Sequence, residues 1–184
     1  MTLPDTPLTL ILADDHAIVR MGFRLLLEGV GAHVLAEADC GEKAQQLMSE
    51  LNPDVLVMDL SMPGCGGLTA LERILARKPG QKVLIASAHA DAITAERTLK
   101  AGAAGYLCKR SPPDELLKAV NQVAAGQRYI DPEIAAALRR ADRPEHPAEA
   151  LTDKEFHVFL QLAQGRSVAE VADSFHLSPN TVGT

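Results

Sequence analysis

The stretch LILADDHAIVR, residues 10–20, runs four small or apolar residues straight into two adjacent carboxylates, Asp14 and Asp15, and then His16. No polar residue alternates within Leu10 to Ala13, so the run reads as a strand buried on both faces. Two neighbouring carboxylates at its end repel each other, and at least one pKa rises unless something positive lies between them. The pair therefore calls for a cation.

The run is the first of five apolar, β-rich stretches: Leu8 to Ala13, His33 to Ala38, Val55 to Met58, Lys82 to Ser87 and Ala104 to Cys108. Helix-period segments separate them, marked by Ile18, Phe23 and Leu25 to Leu27; by Ala44, Leu47, Met48 and Leu51; by Leu68, Leu71, Ile74 and Leu75; and by Ile93 to Leu99. A fifth follows with Leu116, Leu117, Val120 and Val123, and carries Asp114 and Glu115 in its first turn, as the helix dipole prefers. Strict alternation of this kind implies an α/β fold, a doubly wound five-stranded parallel sheet with right-handed crossovers and helices on both faces.

Beyond Gly126, Asp131 to Arg140 reads as a short helix with Asp131 as N-cap and Pro132 in first position. ADRPEHPAEA, residues 141–150, has two prolines, several charges and no large apolar side chain, and reads as an exposed linker. Helical period resumes at Leu151, where Thr152 and Glu155 form a capping box.

Composition narrows the class. The 184 residues are 47% hydrophobic and 23% charged, as in a soluble globular protein, and with aromatics at 3% the core must be aliphatic. No apolar run approaches the ~20 residues of a membrane span, and no basic segment precedes an apolar one at the N-terminus, so no membrane role and a cytoplasmic location are expected. Cys40, Cys65 and Cys108 are odd in number and unpaired in spacing, which argues against a zinc site or a disulfide frame. Residues 1–130 carry 15 acidic and 13 basic side chains; residues 131–184 carry 9 and 5. Neither part has the basic footprint of a self-sufficient nucleic-acid binder.

In an open parallel sheet, ligands gather beyond the carboxyl ends of the strands where strand order reverses. The first strand ends at Asp14-Asp15, the third at Asp59 (DVLVMDLSMPG, 54–64), the fourth at Ser87 (VLIASAHAD, 83–91) and the fifth at Lys109 (AAGYLCKR, 103–110). Three carboxylates, one divalent ion and one lysine sum to near zero charge, and a hard ion with few carboxylates, a backbone carbonyl and water suits Mg²⁺. Such a site can hold a phosphoryl group in line with a carboxylate nucleophile, with Lys109 and Ser87 on its oxygens. The cluster reads as an aspartyl-phosphorylation site. His16 is assigned no chemistry, the other histidines are dispersed without metal spacing, and Cys65 reads as a loop residue.

DDH, MDLSMPG, SAH and GYLCK, in this order and spacing, resemble the receiver domain of two-component response regulators over residues 8 to about 128. The resemblance implies a flavodoxin-like receiver with Asp59 as phosphoacceptor, Mg²⁺ held by Asp14, Asp15, Asp59 and the Ser61 backbone carbonyl, and Lys109 as phosphate contact. It implies that Ser87 and Tyr106 are the hydroxyl and aromatic of a switch, Tyr106 turning inward on phosphorylation and remodelling the face of the fourth helix, fifth strand and fifth helix. The phosphodonor would be a phosphohistidine on a histidine kinase.

LTDKEFHVFLQLAQGRSVAEVADSFHLSPNTVGT, residues 151–184, is similar to the LuxR-type helix-turn-helix of NarL/FixJ-type regulators. The expected division is a receiver at 1–128, a linker with a short helix at 129–150 and a truncated helix-turn-helix at 151–184. Leu151 to Ala163 would be the scaffold helix, Gly165 the break and Ser167 the next cap, with Ser178 and Pro179 opening a recognition helix whose Asn180, Thr181 and Thr184 would meet DNA. Thr184 falls a few residues into that helix, and Gly183 stands where the family commonly has lysine. Poor packing of 151–184, and no DNA binding by this chain alone, are the corresponding expectations; promoter DNA would be the partner of the full-length protein, bound as a homodimer formed on phosphorylation. On this reading the protein is not an enzyme. Two alternatives are a stand-alone receiver-type binding module with a vestigial tail, and a Mg²⁺-dependent aspartyl-phosphate phosphatase.

Overall fold

The computed structural model describes residues 7–88, 91–140 and 151–175. Strands β1 (Thr9–Ala13), β2 (His33–Ala38), β3 (Val55–Met58), β4 (Lys82–Ser87), β5 (Gly105–Cys108) and β6 (Tyr129–Ile130) form one parallel sheet in the order β2-β1-β3-β4-β5-β6. Helices α1 (Ala17–Gly29), α2 (Gly41–Glu50), α3 (Gly67–Arg77), α4 (Ala92–Lys100) and α5 (Pro113–Ala124) alternate with the strands. Strand order reverses at β1, so the crevice at the carboxyl ends of β1 and β3 is the switch point.

Strands β1, β3, β4 and β5 are buried on both faces, and their side chains divide by the period of two. Leu10, Leu12, Val55, Val57, Leu84, Ala86 and Leu107 join Leu27, Leu116, Val120 and Val123 under α1 and α5. Ile11, Ala13, Leu56, Met58, Val83, Ile85 and Tyr106 face the other way, with Ala44, Met48, Leu71 and Ile74 of α2 and α3. No helix among the described residues is long and apolar enough to cross a membrane.

The sheet has six strands where the sequence leads one to expect five. Tyr129–Ile130 pairs in parallel with Gly105 and Tyr106, and is tied in by Tyr129 N–H to the Ala104 carbonyl (3.2 Å) and Asp131 N–H to the Tyr106 carbonyl (2.9 Å). Two residues display no alternation, so only the ladder reveals this strand. Helix α6 (Pro132–Arg140) follows as expected, its Glu133 N–H donating to Asp131 Oδ1 at 3.0 Å. Ile134 on α6 is fully buried in the core, so this short helix packs against the sheet domain.

The poor packing expected after residue 150 is not found in residues 151–175. Helices α7 (Asp153–Ala163) and α8 (Val168–Ser174) each start with a complete capping box, Thr152 with Glu155 and Ser167 with Glu170. Gly165, at φ +81°, separates them. The apolar face of α7 finds its cover on the sheet domain: Phe156 and Leu160 are buried in the same cluster as Leu71 and Ile74 of α3. From α4, the Arg97 guanidinium lies 4.1 Å over the Phe156 ring and donates to the Leu151 carbonyl at 3.1 Å.

The loop from β3 to α3 takes α7 at a place where no side chain intrudes. Gly66 has φ +83°, and a Cβ there would lie 2.0 Å from His157 Nδ1. At Gly67 the constraint is internal, since a Cβ would lie 2.3 Å from Leu60 Cα, on backbone that cannot swing aside. Gly67→Ala is therefore expected to lower unfolding free energy by at least about 2 kcal/mol in a denaturant titration.

His157 is buried in this contact, and burial lowers its pKa to about 4 from the usual 6.5. The unfolded chain binds more protons than the native one between these values, so the histidine's contribution is intact above about pH 6.5 and is lost as pH falls toward 4. Stability measured at pH 7 and pH 4.5 should drop by roughly 2–3 kcal/mol more in the parent chain than in His157→Gln. Equal drops would show that His157 is not held neutral.

Candidate functional site

The carboxyl ends of β1, β3, β4 and β5 deliver the site. Asp14 and Asp15 follow β1, Asp59 follows β3, Ser87 ends β4 and Lys109 follows β5. Backbone bonds fix the exits: Asp59 N–H donates to the Ala13 carbonyl at 2.8 Å, and Lys109 N–H to the Ser87 carbonyl at 2.8 Å. Asp14, Asp15 and Asp59 thus converge, together with His16, with ligand-capable atoms all within 4.8 Å of one another.

Lys109 is the internal counter-ion. Its Nζ lies 2.6 Å from Asp14 Oδ2 and 2.8 Å from Asp59 Oδ2. Burial acts to lower the lysine pKa, but Asp59 and Asp14 outweigh it and the net shift is upward, so the ammonium stays charged. Asp59 is 1% exposed, and its pKa is raised, first by burial and then by the Asp14 charge, against the pull of Lys109. Among the described residues its Oδ1 is buried with no hydrogen-bond partner. One ammonium among three carboxylates leaves negative charge over, and the donor set is all oxygen apart from the His16 ring. That chemistry fits a hard divalent cation.

The rim is more built than the sequence suggests. His16 caps α1, and its Nδ1 lies 3.2 Å from Asp14 Oδ1 and 2.8 Å from Asp15 Oδ1. Arg20 donates to the Asp14 carbonyl and pairs with Glu37 at 3.2 Å. Two residues from the C-terminal segment also reach in: Arg166 lies 2.8 Å from Asp15 Oδ2, and Gln161 Nε2 donates to the Ser61 carbonyl at 2.6 Å. Arg166 had one sequence signal, being the only lysine or arginine after Lys154; Gln161 had none.

Ser87 and Tyr106 are both fully buried and hydrogen-bonded to each other through their side chains. Burial pushes the Tyr106 phenol well above its ordinary value. The Tyr106 ring, expected to turn inward on phosphorylation, lies inside in this structure. Cys65 sits in the β3–α3 loop with its thiol pushed up by burial and by Glu42, which disfavours a reactive thiolate. Ser178 and Pro179, the candidate DNA contacts Asn180, Thr181 and Thr184, and His89, His146 and His176 all lie outside the described residues.

Two family descriptions match: a response regulator receiver domain over residues 10–121 and bacterial regulatory proteins of the luxR family over residues 149–184. The response regulator GacA of Pseudomonas aeruginosa is 40% identical over 179 residues, covering 95% of this chain and 84% of that protein. Among solved structures, a LuxR-family two-component response regulator from Aurantimonas is 38% identical with TM-score 0.71, covering 73% of this chain and 97% of the other. The RcsB response regulator in complex with DNA is 26% identical with TM-score 0.69, covering 97% of this chain and 87% of that one. Strand ends that carry an acidic crevice, followed by a two-helix segment with paired capping boxes, have the same explanation as these matches: the chain belongs to the two-component response regulators of the NarL/FixJ type, a receiver domain followed by a LuxR-type helix-turn-helix segment.

Proposed function

We propose that this response regulator takes a phosphoryl group on Asp59 from a phosphohistidine of a histidine kinase, with Mg²⁺, and that this switches dimerisation and DNA binding. The observation that carries the reading is Lys109 bridging Asp14 and Asp59 while Asp59 Oδ1 has no hydrogen-bond partner among the described residues. The oxygen without a partner is the nucleophile. It attacks phosphorus, the phosphorus–nitrogen bond of the donor breaks, and the imidazole leaves with the electron pair and takes up a proton. Mg²⁺, when bound by Asp14, Asp15, Asp59 and the Ser61 carbonyl, would neutralise charge on the phosphoryl oxygens. Lys109, already on Asp59 Oδ2, is within reach to pair with a phosphoryl oxygen, and the Ser87 hydroxyl would exchange its Tyr106 partner for another.

The output would leave through α4. Ser87 ends β4, α4 begins shortly after at its cap Asp91, and Arg97 on α4 holds Phe156 and Leu151 of the C-terminal segment. A shift at Ser87 thus has a short material path to α7. In this reading residues 1–128 are the receiver, 129–150 connect, and 151–184 supply the helix-turn-helix, with α7 and α8 as its first two helices and Asn180, Thr181 and Thr184 as DNA contacts. The DNA-bound RcsB neighbour supports promoter DNA as the target. The protein acts in the cytoplasm and modifies itself once per phosphoryl transfer, without turnover of a phosphomonoester.

Incubation with a small-molecule phosphodonor and Mg²⁺ should add one phosphoryl mass, located on Asp59 by peptide mapping, and Asp59→Asn should abolish it. Equal uptake by Asp59→Asn, or steady hydrolysis of a phosphomonoester, would overturn the reading.

A further inference from the structure

We infer that the C-terminal helical segment and the divalent cation compete for one acidic pocket, with Arg166 and Gln161 holding the positions that the ion needs. The inference rests on the metal site proposed above. Of the four groups in that site, two are already engaged from α7 and the turn that follows it. Arg166 spans 151 positions of sequence to reach Asp15 Oδ2 at 2.8 Å. Gln161 spans 100 positions to donate to the Ser61 carbonyl at 2.6 Å.

These contacts are supported from behind. Gln161 is 1% exposed, and its amide nitrogen also lies 3.2 Å from His157 Nε2. His157 in turn lies against Gly66, and Phe156 and Leu160 anchor the same helix in the core. The segment is thus seated so that an amide N–H and a guanidinium point at two oxygens of the acidic crevice. A guanidinium contributes one positive charge beside Asp15, which goes part of the way toward the two that an ion would supply.

Geometry sets the two occupants against each other. Mg²⁺ draws its oxygen ligands to about 2.0–2.1 Å in a near-octahedral shell. An N–H donor at hydrogen-bond distance on the same carbonyl, and a guanidinium on the same carboxylate, crowd that shell with positive charge. Binding of the ion and seating of α7 are then coupled, and each weakens the other by the same factor. In this arrangement the ion is more than a helper in phosphoryl transfer: its arrival loosens the output segment before any phosphate is attached.

The test uses the chain with its C-terminal segment in place. Mn²⁺ affinity is read by the paramagnetic signal of free ion in the parent chain, Arg166→Ala, Arg166→Gln and Gln161→Ala. Amide exchange of α7 is then compared with and without saturating Mg²⁺ at matched ionic strength. The Arg166 variants and Gln161→Ala should each bind Mn²⁺ on the order of five- to tenfold more tightly. Because Gln161→Ala changes no charge, its gain separates competition from simple removal of a cation. Mg²⁺ should speed exchange of α7 in the parent chain by a comparable factor. Unchanged affinity in Gln161→Ala together with unchanged α7 exchange would overturn the inference while leaving the metal site standing. Failure of every chain to bind the ion would overturn the metal site, and the inference with it.

Discussion

Asp14 and Asp59 stand at the ends of adjacent strands, both nearly inaccessible, and share a single ammonium from Lys109. Burying an ion costs several kcal/mol after relaxation, and an unpaired one is intolerable inside a fold. Three separate strand exits must therefore arrive at one point with the right side chain, or the crevice cannot exist. The reversal of strand order at β1 makes room for them, and the backbone bonds from Asp59 to Ala13 and from Lys109 to Ser87 fix the approach. Lys109 keeps the crevice folded when nothing else is in it. It also leaves a residual negative charge, against which the side chain of Arg166 is set.

The C-terminal helices draw their stability from two sources. Local capping boxes satisfy the first turns of α7 and α8. Among the described residues the apolar face of α7 is covered by the receiver, through Phe156, Leu160 and the Arg97 guanidinium. Few charged residues interrupt that face, so docking is driven by burial and merely steered by the ion pair at its edge.

The sheet was legible in the sequence because buried parallel strands announce themselves as unbroken apolar runs, and the site because its residues fall at their ends. The bounds of β2, β3 and β4 match the runs read from sequence. The Asp131 and Ser167 caps were legible for a local reason, since a cap lies within three residues of what it serves. What escaped detection is non-local or too short. Strand β6 has two residues and is defined by its partner β5. The seat of α7 depends on residues about a hundred positions away, and no periodicity encodes which surface an amphipathic helix will choose. The tail was expected to be loosely packed because Thr184 falls only a few residues into the recognition helix, and the cover that α7 finds on the receiver had no local sign. The inward position of Tyr106 is a matter of rotamer and of neighbours, and a tyrosine on a strand carries no sign of it.

Gly66 joins two demands in one residue. Its positive φ lets the loop turn into α3, and its missing Cβ is the space that His157 occupies. The turn that shapes the acidic crevice and the seat that holds the output helix cannot vary independently there, because any side chain would disturb both. At this glycine, adjustment of how firmly the two halves hold each other falls to the helical side of the contact, at His157. At Gly66 the receiver's half of the latch is fixed by its own folding, and the freedom to vary lies across the contact.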